Sequence, residues 1–485
     1  MKELPSKVIL IGTGPSALFA GRMLKQIAKQ QNKEIELVFL EREAVVGGKC
    51  HTYSDPAHPD LKTEEGAGAV APNYGVVIDA LIEHGVAYET MIPVANETVE
   101  IDQMYKNLSF TDKIGFVKDL IGEMSAFNAD YDVYKAAKQN KTNLPDELTV
   151  PFTEYCSIRN MRLLPILVKP FVPGFGYGAI THCPAYSVLE YLGKTTLPDL
   201  ALEERIFRQP SLLAIHGGFQ LLMERIASTF DVRLNAKITK IDRKPDQVTV
   251  HYQYNGMECT ETADAMVLAI SPKNWTSLGM ELTETENKCI NQLEYYRYPV
   301  AVYKIKGLPS HQYYFPQGLD EPGFGHLALI TTRDDRPEPE EGRLCSVYVN
   351  LPPNHNDFTF DHAALKEELK AIEGVTDVTV IKEKIWEDYM STLPWDIRLE
   401  LDREQQSSNT VYLGSYVLGG FEDVACVANK ATDTMSELFT PAPDFQEDLT
   451  LKNIKRAFQF FTAPVFPPLN NLNNGMESAA RCTIL

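Results

Sequence analysis

The chain opens on a pattern that few folds can absorb. Val8-Ile9-Leu10-Ile11 is an apolar run of strand length, Gly12-Thr13-Gly14 follows at once, and Pro15-Ser16-Ala17-Leu18-Phe19-Ala20-Gly21 reads as the start of a helix. A second apolar run, Leu37-Val38-Phe39-Leu40, stops at Glu41. Strand, glycine turn, helix and a strand ending in an acid together form a unit for binding a dinucleotide. Gly12 lets the chain leave the strand in a tight turn, Gly14 lets backbone amides approach a pyrophosphate, and Ala17 with Gly21 keeps the helix thin enough to pack on a sheet. The phosphates would sit on the positive end of that helix. Glu41 is placed to accept hydrogen bonds from an adenosine ribose, and its charge argues against the extra phosphate of NADP. Gly-x-Gly also arises as plain turn chemistry, so the triplet does not stand alone.

Three later segments narrow the reading. Glu41-Arg42-Glu43 leads through Gly47-Gly48-Lys49, a second flexible and cationic loop set against the phosphates or a flavin. Gly66-Ala67-Gly68-Ala69 has the small side chains a backbone needs to run close to a flat ring; the plainer alternative is a surface loop. Near the end, Val411-Tyr412-Leu413-Gly414-Ser415 and then Phe421-Glu422-Asp423-Val424 read as a strand, a small-residue turn and a helix start, which suits an anionic or polarisable ring edge.

At 485 residues, two interleaved domains are expected. Residues 76–205 read as mainly helical, with the polar segment 127–150 as a long connection. Lys169 to Gly178 is too rich in Gly, Pro and aromatics for regular structure, so Phe175 and Tyr177 are candidates for a substrate pocket, or else core plugs beneath a loop. Short alternating strands follow from Val232 to Pro272, and residues 285–400 are aromatic and strand-rich. The formal charge of −20 disfavours nucleic acid as a partner. Eight cysteines without metal spacing, and no apolar leader before Val8, point to a cytoplasmic protein with reduced thiols and no metal. There is no Ser-His-Asp order and no pair of catalytic carboxylates, so no catalytic residue is singled out.

The spacing from Glu41 to Gly47-Gly48-Lys49 resembles that of the flavin amine oxidase superfamily, whose usual form is Gly-Gly-Arg; Lys49 keeps the charge but loses the planar fork. Within the superfamily, three blocks are similar to the bacterial polyunsaturated fatty acid isomerases, which also have lysine at that point. These are Gly47 to His51 with Glu64 to Tyr74, Pro151-Phe152 with Phe175 to Tyr186, and Tyr412-x-Gly414 with Phe421 to Val424. The resemblance implies an α/β fold: a Rossmann-type FAD-binding domain of the two-dinucleotide-binding kind (1–75, 206–285 and 405–440) interleaved with a mixed α+β substrate domain (76–205 and 286–404). It implies FAD as cofactor, held by Gly12, Gly14, Pro15, Ser16, Ala17, Glu41, Arg42, Gly48, Lys49, Gly66, Ala67, Gly68, Ala69, Ile238, Gly414, Ser415, Phe421, Glu422 and Val424, with Ile238 against the adenine. The activity implied is an FAD-dependent oxidoreductase or internal-redox double-bond isomerase moving hydride to and from flavin N5 on an apolar, lipid-like substrate. The alternatives are an amine oxidase producing peroxide and a flavin-fold binding protein without turnover. Two departures matter. Relatives carry an acid where Ser415 stands, and the isomerases use an arginine near the substrate carboxylate, whereas His84 to Met104 contains neither Arg nor Lys. Arg159, Arg162 and Lys169 are the candidates to replace it.

Residues 441–485 read as a C-terminal helix, with a Leu451-Ile454-Phe458-Phe461 stripe, and a polar flexible tail. The tail ends Cys482-Thr483-Ile484-Leu485, a Cys-aliphatic-aliphatic-X pattern whose final Leu favours geranylgeranyl. A prenyltransferase as partner and peripheral membrane attachment through Cys482 in a eukaryotic cytosol, its own or a host's, are therefore expected.

Overall fold

The opening strand, Lys7–Ile11, lies at the centre of a five-stranded parallel sheet. From edge to edge the order is Thr410–Tyr412, Ala265–Leu268, Lys7–Ile11, Glu36–Leu40 and Asp231–Arg233. The computed structural model describes residues 2–71, 73–95, 99–198, 212–333 and 338–440, and residues Met1–Pro441 form one compact unit. The three central strands, so distant in sequence, share a sheet because they are largely buried and read as apolar runs, as parallel strands do, while the edge strand Asp231–Arg233 is partly exposed. Helix Pro15–Gln30 covers the sheet with its Ala17, Leu18 and Leu24 face, and helix Val424–Phe439 packs beside it, Gln31 Nε2 donating to the Phe439 carbonyl at 2.7 Å.

On the other face, a three-stranded meander (Lys237–Lys244, Gln247–Tyr254 and Met257–Ala263) shares its core with Ile9, Val38 and Leu268. Its second turn is Asn255-Gly256, with φ of 52° and 75°, the two-residue hairpin turn whose twist matches its strands.

A second, antiparallel sheet runs Tyr313–Tyr314, Leu327–Thr332, Arg343–Val349, Glu294–Lys306 and Asp377–Thr392. Its aromatic face and the helical region 75–198 share one large core. One expectation fails here. Residues 127–150 are not a long connection, because helix Phe110–Asn140 runs through 140 before Lys141 ends it in the left-handed conformation. The polar residues face outward, while Phe127, Tyr134 and Ala137 keep a narrow buried stripe that the overall polarity hides. The tail 441–485, with Cys482 and the Leu451 to Phe461 stripe, lies outside the described residues.

The closest packing against the sheet is at Gly21, where a Cβ would sit 2.5 Å from Phe39 Cζ. Gly21→Ala is expected to overpack this contact and lower stability by about 1–3 kcal/mol despite alanine's better helix propensity. Urea denaturation would show it as a lower midpoint with an unchanged slope. An unchanged or raised midpoint would contradict the packing account.

Candidate functional site

The strand Lys7–Ile11 turns at Gly12 with φ of +99°, where a Cβ would lie 3.2 Å from the Ala269 carbonyl oxygen of the neighbouring strand end. Gly14 precedes the helix and Pro15 occupies its first turn; no side chain caps this end and no acid stands in its first turn. The first N–H groups are therefore left for an anion. Gly48 closes over them with φ of +54°, and a Cβ there would come 3.1 Å from Gly14 Cα. Backbone bonds join the loops: Gly47 N–H donates to Thr13 O at 3.1 Å and Ala67 N–H to Lys49 O at 3.0 Å. A Cβ on Gly66 would be 2.0 Å from that same Lys49 oxygen, so only glycine fits. An uncapped helix end flanked by backbone with no room for side chains fits a dinucleotide.

Glu41, 9% exposed, ends its strand as expected. Its Oε2 accepts from Thr13 N–H at 2.9 Å and Thr13 Oγ1–H at 2.7 Å, and its Oε1 accepts from Glu43 N–H at 2.9 Å, which fixes the carboxylate beside the glycine turn. Ser16 and Ala17 are buried in the first helical turn. Ile238 is half-buried on the meander opposite Tyr252.

Two basic residues stand elsewhere than the loop pattern predicts. Arg42 is 68% exposed and pairs with Glu43 at 3.1 Å. The Lys49 ammonium does not face the helix end; it donates to Glu422 Oε1 and to the Tyr389 carbonyl, each at 2.8 Å. Burial raises the Glu422 carboxyl, with Lys49 opposing that rise. Ser415 is 2% exposed, and its Oγ donates to Ser391 O at 2.9 Å.

The 413–421 loop is shaped by a residue that no sequence motif singles out. Arg398, 1% exposed, donates to the carbonyls of Leu393 (2.9 Å), Ser415 (3.1 Å), Val417 (2.9 Å) and Gly420 (3.1 Å) and to Thr392 Oγ1 (2.9 Å). It lies in a helix whose apolar pattern gives no hint of this role.

Beside these loops opens an aromatic pocket. Gly66, Ala67, Gly68, Ala69 and Val424 form one side; Phe171, Phe175, Tyr177, Tyr298, Leu329, Tyr348 and Tyr389 form others. Phe421 is fully buried behind it, stacked on Tyr191 at 4.8 Å and edge-on to Tyr177 at 4.8 Å. Burial holds the Tyr177, Tyr191 and Tyr389 phenols well above their ordinary range, so these rings stay neutral. None of Arg159, Arg162 and Lys169 lines the pocket: Arg159 pairs with Asp130, Arg162 is exposed beside Asp119, and Lys169 pairs with Asp320. The one cation among the described lining residues is Arg333, at the end of a strand from the second sheet. Its Nη1 donates to Glu64 Oε1 at 2.5 Å, and Glu64 also accepts from Phe219 N–H and Thr52 Oγ1–H.

Asp423 also faces the pocket. It caps helix Val424–Phe439, accepting from Ala425 N–H at 2.9 Å and Cys426 N–H at 3.1 Å, and burial raises its carboxyl to about 6. Among the described residues there is no cluster of three or more His, Cys, Asp or Glu able to hold a metal.

A family model described as flavin containing amine oxidoreductase matches residues 179–370. No curated protein matches the chain. Among solved structures, the chain is similar to a CLA-producing fatty acid isomerase from P. acnes, with 20% identity, 91% of this chain and 100% of that one covered, and a TM-score of 0.72. It is also similar to a putrescine oxidase bound to putrescine (14% identity, 89% and 98% covered, TM-score 0.62) and to the cyclohexylamine oxidase of Brevibacterium oxydans (13% identity, 89% and 99% covered, TM-score 0.58). The chain has the fold of these proteins: a Rossmann-type domain for FAD joined to a mixed α+β substrate domain. The cofactor of this fold is FAD.

Two outcomes are expected. Arg398→Met leaves five acceptors without their donor and should cost about 3–5 kcal/mol, with Arg398→Lys recovering little of it because an ammonium cannot fork; unaltered denaturation of Arg398→Met would contradict its role. Asp423→Asn keeps the cap but removes the titration. The folded-state carboxyl, at about 6, lies above its ordinary 3.8. The contribution of Asp423 to stability should therefore fall as pH rises between those values, so that wild type loses about 1–3 kcal/mol relative to the Asn variant over that range. Parallel pH profiles in urea would overturn this assignment.

Proposed function

We propose that the chain is an FAD-dependent oxidoreductase acting on a largely apolar substrate, with internal double-bond isomerisation as its reaction. In this reading Gly12, Gly14, Pro15, Ser16, Ala17 and Gly48 surround the pyrophosphate, Glu41 takes the ribose, Ile238 meets the adenine and Arg42 stays at the rim. Lys49, Gly66 to Ala69, Gly414, Ser415, Phe421, Glu422 and Val424 belong to the flavin end. FAD bound there would supply two-electron, hydride-level redox chemistry. Phe175, Tyr177 and Tyr389 hold the substrate chain and exclude water, and Asp423 keeps the start of the last described helix at the pocket.

The observation that carries the reading is the wall of rings and aliphatic side chains beside the Gly66 loop, whose one cation among the described residues is neutralised by Glu64. A substrate carboxylate would have to take Arg333 from Glu64, so a neutral apolar group is the better match. The likeness in fold to a fatty acid isomerase supports the lipid-like class. Peroxide-forming amine oxidation is the second reading, favoured by the aromatic faces and by Glu64, Glu89 and Asp423 outnumbering Arg333 in the lining. Attachment through a prenylated Cys482 also belongs to this proposal.

The discriminating test is to mix purified protein, in parallel without and with oxygen, with a polyunsaturated fatty acid, its methyl ester and a panel of alkyl amines. Double-bond migration in the ester at a rate equal to or above that of the acid is the expected result. Oxygen-dependent peroxide from an amine, with no migrated lipid, would replace the isomerase by the oxidase, and no turnover of any of them would leave a binding protein.

A further inference from the structure

The first three turns of helix Phe110–Asn140 present an apolar stripe to solvent. Phe110 is 80% exposed, Ile114 58% and Ile121 51%. At about 100° per residue these three side chains fall within about 40° of one another, with half-buried Val117 beside them, over about 16 Å of helix. Lys113 and Lys118 flank the stripe on either side, and exposed Lys106 precedes it at the end of helix Glu100–Lys106. The acids of these turns are on the opposite side and engaged there: Asp112 with Ser109, Asp119 with Arg162, and Glu123 with the N–H groups of Arg162, Leu163 and Leu164. Beyond Ile121 the same face turns polar, through Ser125, Asn128 and Asp132. The stripe therefore has an end as well as two sides.

We propose that this stripe docks the protein on an anionic lipid surface, Phe110, Ile114 and Ile121 entering the acyl boundary while Lys106, Lys113 and Lys118 meet the headgroups. Isolated exposed apolar side chains need no explanation, but a row of large ones bordered by lysines does. The charge decides among occupants. A second copy seated on this patch isologously would set lysine borders against lysine borders, whereas an anionic bilayer attracts those lysines and accepts the stripe between them. The helix before the stripe, Glu100–Lys106, reaches toward the pocket wall. Glu100, which opens the preceding helix, lies 3.8 Å from Lys169, two residues before the pocket-lining Phe171. The inference stands on this surface and needs neither the substrate reading nor the tail; no helix among the described residues is long and apolar enough to cross a membrane.

Flotation of purified, unprenylated full-length protein with vesicles tests it. Wild type should float with vesicles of phosphatidylcholine and phosphatidylserine, more weakly with phosphatidylcholine alone, and less at high salt. The exposed-site variant Phe110→Ser/Ile114→Ser/Ile121→Ser should lose about tenfold or more in partitioning, and Lys113→Gln/Lys118→Gln should lose the preference for phosphatidylserine. Wild type that floats with neither vesicle, or a triple variant that partitions unchanged, overturns the proposal. A triple variant that only converts an oligomeric wild type to monomers assigns the stripe to self-association instead.

Discussion

A buried guanidinium with no carboxylate beside it fixes the far side of the site. Arg398 is enclosed almost completely, and its compensation is a ring of carbonyls drawn from both sides of the turn after the last parallel strand. Burying a charge costs several kcal/mol unless its donors are met, so the 413–421 loop has little freedom once Arg398 is in place. That loop is already tight, because a Cβ on Gly420 would come 2.3 Å from the Gly414 oxygen. From it the chain delivers Glu422 to Lys49 and Asp423 to the start of the last helix, both beside the pocket.

The near side depends on backbone meeting backbone. Gly14 against Gly48 and Gly66 against the Lys49 carbonyl bring three loops within contact, and each approach excludes a side chain. The electrostatics follow from this crowding. Glu64 and Glu422 are both buried and raised, and each has one cation, Arg333 or Lys49, at its carboxylate. Among the described residues, the two pairs leave the region between them without an unpaired positive charge.

Much of this was legible in the sequence because the opening unit and the Gly66 loop are local: their constraint lies in backbone conformation that only small residues allow. The central strands were readable from their apolar runs, Val8 to Ile11, Leu37 to Leu40 and Ala265 to Leu268. The length of helix Phe110–Asn140 was not, since a helix needs only a few buried positions, here Phe127, Tyr134 and Ala137, and the polar residues between them read as a connection. Lys49, Arg333 and Arg398 were illegible in role for a different reason. A long charged side chain goes to the partner that burial leaves it, and those partners lie 373, 269 and 17 to 22 residues away. Nothing in the neighbouring sequence announces them.

The central claim is that these loops form a working cradle for FAD, and the visible absorption spectrum of the purified protein tests it most directly. The two flavin bands are expected, with FAD itself released into the supernatant when the protein is denatured by heat. A colourless protein that takes up no added FAD would contradict the claim, and the glycine loops would then be structural turns.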